Sequence, residues 1–214
     1  PRAVDQPLTA GPVLVLGSGP DSDAVAQTLL GWDLDVRRHQ PPPAEQRWGA
    51  VVAVMTDLNE PAEASGVVLE LSGVLRELAR CARVITISRV ATAQDAPALA
   101  ATRAGVDGLV RSLGKELRQG ATANGVQLAD GVAVTAPAAL GALRFLLSAR
   151  SAFVDGQLVP VLSDGVAPAN WSRPLEGMVA VVTGAARGIG AETVRVLSRD
   201  GALVLGVDVA AAGE

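Results

Sequence analysis

Met178-Val-Ala-Val-Val-Thr-Gly-Ala-Ala-Arg-Gly-Ile-Gly190 is the stretch on which the reading of this chain turns. The apolar run from Met178 to Val182 predicts a buried parallel strand, broken at Thr183-Gly184. Gly188 and Gly190 follow, and a helical pattern opens at Ala191 with Val194, Val196 and Leu197 as its apolar positions. Strand, glycine turn and helix in that order suit a dinucleotide. Glycines let the backbone approach a pyrophosphate, and the first helical amides aim donors and the positive dipole end at it. A second strand, Ala202 to Val207, ends in Asp208, roughly 20 residues beyond the glycines, where a ribose-binding carboxylate belongs. The competing reading is a structural turn, with Asp208 as a plain strand-end residue.

Composition narrows the chemistry around that turn. The chain has 214 residues, enough for one or two domains, and its 49% hydrophobic content with few aromatics suits an Ala/Val/Leu-packed α/β protein. A net charge of −4 without a Lys/Arg-rich run argues against a nucleic-acid surface. No run approaches about 18 uninterrupted apolar residues, so no membrane span is predicted. Cys81 is the one cysteine, which excludes an intrachain disulfide and suits a reducing cytosol. With His39 the one histidine, neither a zinc site of ordinary Cys/His composition nor a Ser-His-Asp device is predicted; His39 reads as a solvated residue beside Pro41-Pro42-Pro43. There is no tyrosine at all.

Upstream, the chain repeats the same plan. Val13 to Leu16 reads as a strand, Gly17-Ser-Gly-Pro-Asp-Ser-Asp23 as a turn, Ala24 to Leu30 as a helix and Asp33 to Val36 as a second strand. This first turn is the poorer site. Ser22 stands where a third glycine would let the helix approach, and Asp21 and Asp23 complement the helix dipole but would repel a phosphate. A capped structural turn is the favoured reading there. Further strands are expected at Ala50 to Met55, Val84 to Ile87, Val126 to Leu128 and Phe153 to Val161. Helices are expected over about Ala64 to Arg80, Ala98 to Leu117 and from Thr135-Ala-Pro137 to Arg150. Alternating strand and helix predicts an α/β fold with a doubly wound parallel sheet, Rossmann- or flavodoxin-like, over residues 1–170. Ala167 to Pro174 reads as a linker, and residues 171–214 as the first β-α-β unit of a second Rossmann domain.

At Thr183, Gly184, Gly188, Ile189 and Gly190 the chain matches Thr-Gly-x-x-x-Gly-x-Gly and so resembles the short-chain dehydrogenase/reductase family. The flanking Pro174-Leu-Glu-Gly-Met is similar to the opening of 3-oxoacyl-acyl-carrier-protein reductases, and the two-domain plan resembles their high-molecular-weight type. That resemblance implies cofactor binding by Thr183, Gly184, Arg187, Gly188, Ile189, Gly190 and Asp208. It implies reduction of a 3-oxoacyl thioester, on acyl-carrier protein or coenzyme A, to the 3-hydroxyacyl form in the cytoplasm, by a homodimer or higher homo-oligomer. It also implies that the chain is a fragment, with the catalytic serine, tyrosine and lysine beyond Glu214 and no catalytic residue inside it. Asp208 favours NAD(H) over NADP(H), because a carboxylate accepts from both ribose hydroxyls and repels a 2′-phosphate; Arg187 pulls the other way. Another short-chain dehydrogenase, such as one for hydroxyacyl-CoA or an alcohol, is the alternative enzyme. A non-catalytic assembly module is the alternative outside enzymes.

Within the first domain the same resemblance exposes a loss. Arg83-Val-Ile-Thr-Ile-Ser88 is similar to the strand that delivers the family's serine, and Arg103 to Leu117 to the helix after its Tyr-x-x-x-Lys; Ser151 to Gln157 resembles its closing strand. Leu99 holds the tyrosine position and Arg103 the lysine position. Leucine cannot donate a proton, and a guanidinium neither deprotonates near neutrality nor copies an ammonium. Ser88 and Arg103 are therefore expected to be structural or solvated. The Leu/Val stripe of the 99–117 helix reads as core against the sheet, or alternatively as a helix-to-helix dimer contact.

Overall fold

A computed structural model describes residues 7–38, 46–168 and 170–209. His39 and the Pro41-Pro42-Pro43 loop lie outside the described residues. The chain divides into two compact units, Gln6–Gly165 and, from Val166 onward, a smaller one.

The first unit is built on six strands: β1 (Val13–Leu16), β2 (Val36–Arg37), β3 (Trp48–Val54), β4 (Leu78–Arg89), β5 (Thr122–Leu128) and β6 (Leu158–Val161). They lie in the order β2-β1-β3-β4-β5-β6, every pair parallel. The expected doubly wound sheet is therefore present, and its order is the flavodoxin-like one, which reverses between β1 and β3. Four helices cover it: α1 (Pro20–Gly31), α2 (Ala64–Val74), α3 (Pro97–Glu116) and α4 (Pro137–Leu147).

Alternation along the strands sorts the core into two layers. Val13, Val15, Val52, Val54, Ile85, Ile87, Val126 and Leu128 pack with Val25 and Leu29 of α1 and Leu143, Leu146 and Leu147 of α4. Leu14, Leu16, Val51, Ala53 and Val84 pack on the opposite face with Leu71 of α2 and Val106 and Leu113 of α3. Each fully buried Leu or Val side chain contributes about 1.5–3 kcal/mol, so the apolar runs of β1 and β3 are sandwiched from both sides.

Where elements depart from sequence expectation, a tertiary contact accounts for most of the change. β2 shrinks to Val36–Arg37 because Asp33 adopts a left-handed conformation (φ 60°), tolerable for a short polar residue, and delays the strand. α2 ends at Val74 and continues only as a 3-10 turn to Glu77, since Leu78 pairs with Trp48 and enters the sheet. The Trp48 indole N–H donates to Glu77 Oε2 at 3.2 Å and fixes that switch. β5 begins four residues earlier than its apolar pattern, at Thr122, because Asn124 is buried with its side chain satisfied: Nδ2 donates to the Val154 carbonyl and Oδ1 accepts from the Gln157 amide. Gly125 lies inside β5, where a Cβ would stand 2.7 Å from Leu158 Cδ2. The last strand starts at Leu158 rather than Phe153, and Phe153 is 96% exposed. α4 starts at Pro137 with Ala136 at its cap position and no side-chain cap, so Thr135 does not cap it; past Leu147 the chain makes a 3-10 turn, Ala149–Ser151.

The second unit holds β7 (Val179–Thr183), α5 (Gly188–Arg199) and β8 (Leu203–Val207). β7 and β8 are parallel, paired from Val179↔Leu203 to Thr183↔Val207. The helix begins at Gly188, one turn earlier than its apolar pattern. Val179, Val181, Leu203, Leu205 and Val207 on one face of the pair are all more than half exposed. That is the kind of surface a parallel sheet ordinarily buries. Among the described residues no helix is long and apolar enough to cross a membrane.

Candidate functional site

The glycine turn joins β7 to α5 and places the predicted residues around one helix start. Thr183 ends the strand; Gly184 (φ 66°) and Gly188 (φ 60°) both take left-handed conformations, a region open to glycine and strained for a side chain. Gly190 serves close approach instead: a Cβ there would stand 1.9 Å from the Gly184 carbonyl oxygen. The turn thus folds back on the first turn of α5.

The helix start is open to an anion. Arg187 occupies the cap position in extended conformation and makes no side-chain cap, and no acid lies in the first turn. Amides at Gly188, Ile189 and Gly190 have no intrahelical acceptor by position, since the first bond inside this turn runs from the Ala191 amide to the Arg187 carbonyl. Arg187 and Ile189 are both exposed.

Asp208, just past β8, is brought to the same turn. Its Oδ2 accepts from the Ala186 amide at 2.9 Å, across 22 residues, and its Oδ1 from the Val209 amide at 2.8 Å. The Ala185 amide donates to the Val207 carbonyl at 3.3 Å. Gly206 leaves room for this, because a Cβ on it would stand 3.0 Å from Ala185 Cβ. All seven predicted residues therefore lie on this turn, its helix start or the strand end beside it. Their types suit a nucleotide diphosphate: a backbone cradle that a Cβ would fill, an uncapped helix start and a carboxylate acceptor at the strand end.

The counterpart turn in the first unit is clasped from one side by the protein's own arginine. Gly17 (φ 107°) and Gly19 (φ 87°) form the turn, but Arg38, just past β2, reaches into it. Its Nη2 donates to the Gly17 carbonyl at 2.8 Å and to Ser22 Oγ at 3.0 Å, and its Nη1 to Asp23 Oδ1 at 2.9 Å. The buried Ser22 hydroxyl in turn donates to the Gly19 carbonyl. Arg89, at the end of β4, ion-pairs with Asp21 at 3.6 Å and donates to the carbonyls of Ala129 and Val132. The two acids read from sequence as repelling a phosphate are thus neutralised internally by arginines that sequence reading missed. The available signal was modest: Arg38 follows the second strand, where a nucleotide fold directs a side chain toward the glycine turn.

The positions that the sequence resemblance matches to a serine, a tyrosine and a lysine are also tied down. Arg103 donates to both oxygens of Asp95 at 3.2 Å, to Asp130 Oδ1 at 2.9 Å and to the Val90 carbonyl at 2.9 Å. The Thr92 amide holds the Asp95 carboxyl below the ordinary carboxylate range, with Thr92 Oγ1 and Arg103 adding to it. Arg103 is a structural clamp rather than a solvated group. Ser88 is buried at 1% exposure and its hydroxyl has no hydrogen-bond partner among the described residues. Leu99 lies on α3, a side chain with no proton to give. Further along α3, burial pushes the Asp107 carboxyl up, against the opposing pull of Arg111, and Gln127 Nε2 donates to it at 2.7 Å. No group of three or more metal-ligating side chains occurs among the described residues.

Comparison with known proteins places this architecture. No family model matches the sequence, and no curated protein matches it. Among solved structures, the chain is similar to a short chain dehydrogenase family protein from Francisella tularensis subsp. tularensis SCHU S4. The two are 13% identical at a TM-score of 0.55, over 71% of this chain and 96% of that one. It is also similar to a double mutant of a Serratia marcescens short-chain dehydrogenase/reductase, 14% identical at a TM-score of 0.54, over 73% of this chain and 97% of that one. At that level of identity the likeness is one of fold: a Rossmann-like parallel sheet with alternating helices.

Proposed function

We propose that residues 171–214 open the cofactor-binding domain of a nicotinamide-dependent oxidoreductase of the short-chain dehydrogenase/reductase type, and that residues 1–170 form a degenerate, non-catalytic companion domain. The observation that carries this is the meeting of the Thr183–Gly190 turn, the uncapped start of α5 and the Asp208 carboxylate in one place. NAD(H) is the preferred cofactor, because Asp208 accepts from ribose hydroxyls and repels a 2′-phosphate. The substrate is a 3-oxoacyl thioester on acyl-carrier protein or coenzyme A, by resemblance of the sequence around Pro174 to Gly190. By that resemblance the proton donor is a tyrosine, a residue type that these 214 residues do not contain. The exposed apolar face of β7 and β8 agrees with further strands and helices completing that domain.

The test is a titration of this chain with NADH and NADPH, followed by an oxidation assay of the natural-length protein with acetoacetyl-CoA. NADH binding, and faster oxidation of NADH than of NADPH, is the expected result. A preference for NADPH would overturn the cofactor assignment alone. Bound NADH with no oxidation would overturn the substrate, and no binding of either nucleotide would overturn the reading.

A second reading rests on the first unit. Its clamped Arg103 and its Leu99 suit a module that assembles subunits rather than one that turns over substrate. The outward surface of α2 and α3 carries Gly66, Leu69, Gly73, Gly105 and Gly108, and a Cβ on any of those glycines would meet open space. A homodimer through this face is the arrangement we favour.

A further inference from the structure

We propose that Asp208 is a positioning residue for the phosphate-binding turn, in addition to any contact it makes with a ribose; this rests on the nucleotide reading of the same site. The turn from Gly184 to Gly188 is bounded by two glycines in left-handed conformation, each free to pivot where another residue would be held. Ala186, at its middle, is exposed and has no core packing to fix it. What reaches it is the Asp208 carboxylate, through the 2.9 Å bond from the Ala186 amide. A charged acceptor makes that bond roughly twice as strong as a neutral pair. The carboxylate is itself oriented by the Val209 amide on its other oxygen. One residue earlier, the Ala185 amide to Val207 carbonyl bond ties the turn to the end of the same strand, over the space that Gly206 leaves free.

The geometry makes the strand end a brace for the cradle. With Ala185 and Ala186 held to β8, the amides of Gly188, Ile189 and Gly190 at the start of α5 stay directed at one point before any ligand arrives. Each carboxylate oxygen carries two lone pairs, so Asp208 can hold the two amides and still accept from ribose hydroxyls. The bracing role and the ribose role are therefore separable, and a nucleotide without ribose hydroxyls isolates the first.

The experiment uses the full chain with 2′,3′-dideoxyadenosine 5′-diphosphate, ADP and NADH as probes, and the variants Asp208→Ala and Asp208→Asn. The Ala variant removes a negative charge, which by itself would tighten binding of an anion. Bracing predicts the opposite: Asp208→Ala weakens the dideoxy nucleotide about fivefold, the scale of one lost hydrogen bond. Asp208→Asn removes the same charge but keeps one acceptor oxygen for Ala186, so it binds the dideoxy nucleotide more tightly than Asp208→Ala does. Hydrogen exchange at the Ala186 amide should quicken more in the Ala variant than in the Asn variant. Unchanged or tighter dideoxy-nucleotide binding by Asp208→Ala, with unchanged exchange at Ala186, would overturn the proposal. If the parent chain binds no nucleotide, the nucleotide reading falls, and the exchange difference between the two variants still decides whether Asp208 holds the turn.

Discussion

Gly190 and Asp95 are the residues on which single substitutions report most directly. Adding one methyl at Gly190 puts a carbon 1.9 Å from the Gly184 carbonyl oxygen, so the helix start and the turn must separate. Gly190→Ala is expected to weaken NADH binding roughly tenfold or more, equivalent to about 1.4 kcal/mol; isothermal titration checks it, and parent-like affinity would refute the close-approach role. Asp95 answers to pH. Its folded carboxyl lies below the ordinary 3.8, so the stability it contributes is fully present above that value and is lost as pH falls through the lower, folded one. Denaturant midpoints of the parent and Asp95→Asn should therefore differ at neutral pH and converge on acidification below about 3.8. A gap that stays constant down the acid range would show that the Thr92 and Arg103 contacts act through shape alone. Asp107 pulls the opposite way, since burial raises its carboxyl and its cost grows as pH rises, so the convergence should be read on the Asp95 difference and not on the parent curve.

At the scale of elements, helix faces that look alike in sequence differ in what they bury. α4 sets Leu143, Leu146 and Leu147 into one layer of the core, at 1% exposure or less. Leu146→Ala should cost about 2–5 kcal/mol in urea unfolding, the transfer loss plus the cavity left behind. α3 is two-faced: Val106, Val110 and Leu113 are buried, whereas Gly105 and Gly108 point outward. Gly105→Arg should therefore leave the first unit folded by circular dichroism and turn a dimer into a monomer in light scattering. A monomeric parent, or a variant that still dimerises, would sink the α2–α3 assembly. The apolar stripe of α3 was legible from its spacing. The outward placing of Gly105 and Gly108 was not, because a glycine in a helix carries no hydropathy and becomes informative only once exposed.

For the whole molecule, one glycine turn has no acid at its helix start, and its counterpart carries Asp21 and Asp23 there and is clasped by Arg38. Arg38 clasps the first turn through Gly17, Ser22 and Asp23, and two acids stand at its helix start, so the full chain is expected to take up one nucleotide per chain, at the second turn. Equilibrium dialysis giving two would mean that the Arg38 clasp opens. The repeated strand-turn-helix-strand plan and the doubly wound sheet were readable from the chain, and so was the grouping of residues 183–190 and Asp208 around one glycine turn. Each follows from short-range rules: apolar runs, glycines at turn spacing and an acid at a strand end. Tertiary structure decided the rest. It drew Leu78 out of a helix to pair with Trp48, buried Asn124 as the tie between β5 and the loop before β6, and turned Arg38, Arg89 and Arg103 into clasps on acids far along the chain. The physical reason is range. Backbone propensity and side-chain period act over a few residues, whereas a guanidinium finds its carboxylate, and a strand its neighbour, only after the chain has closed the loops between them.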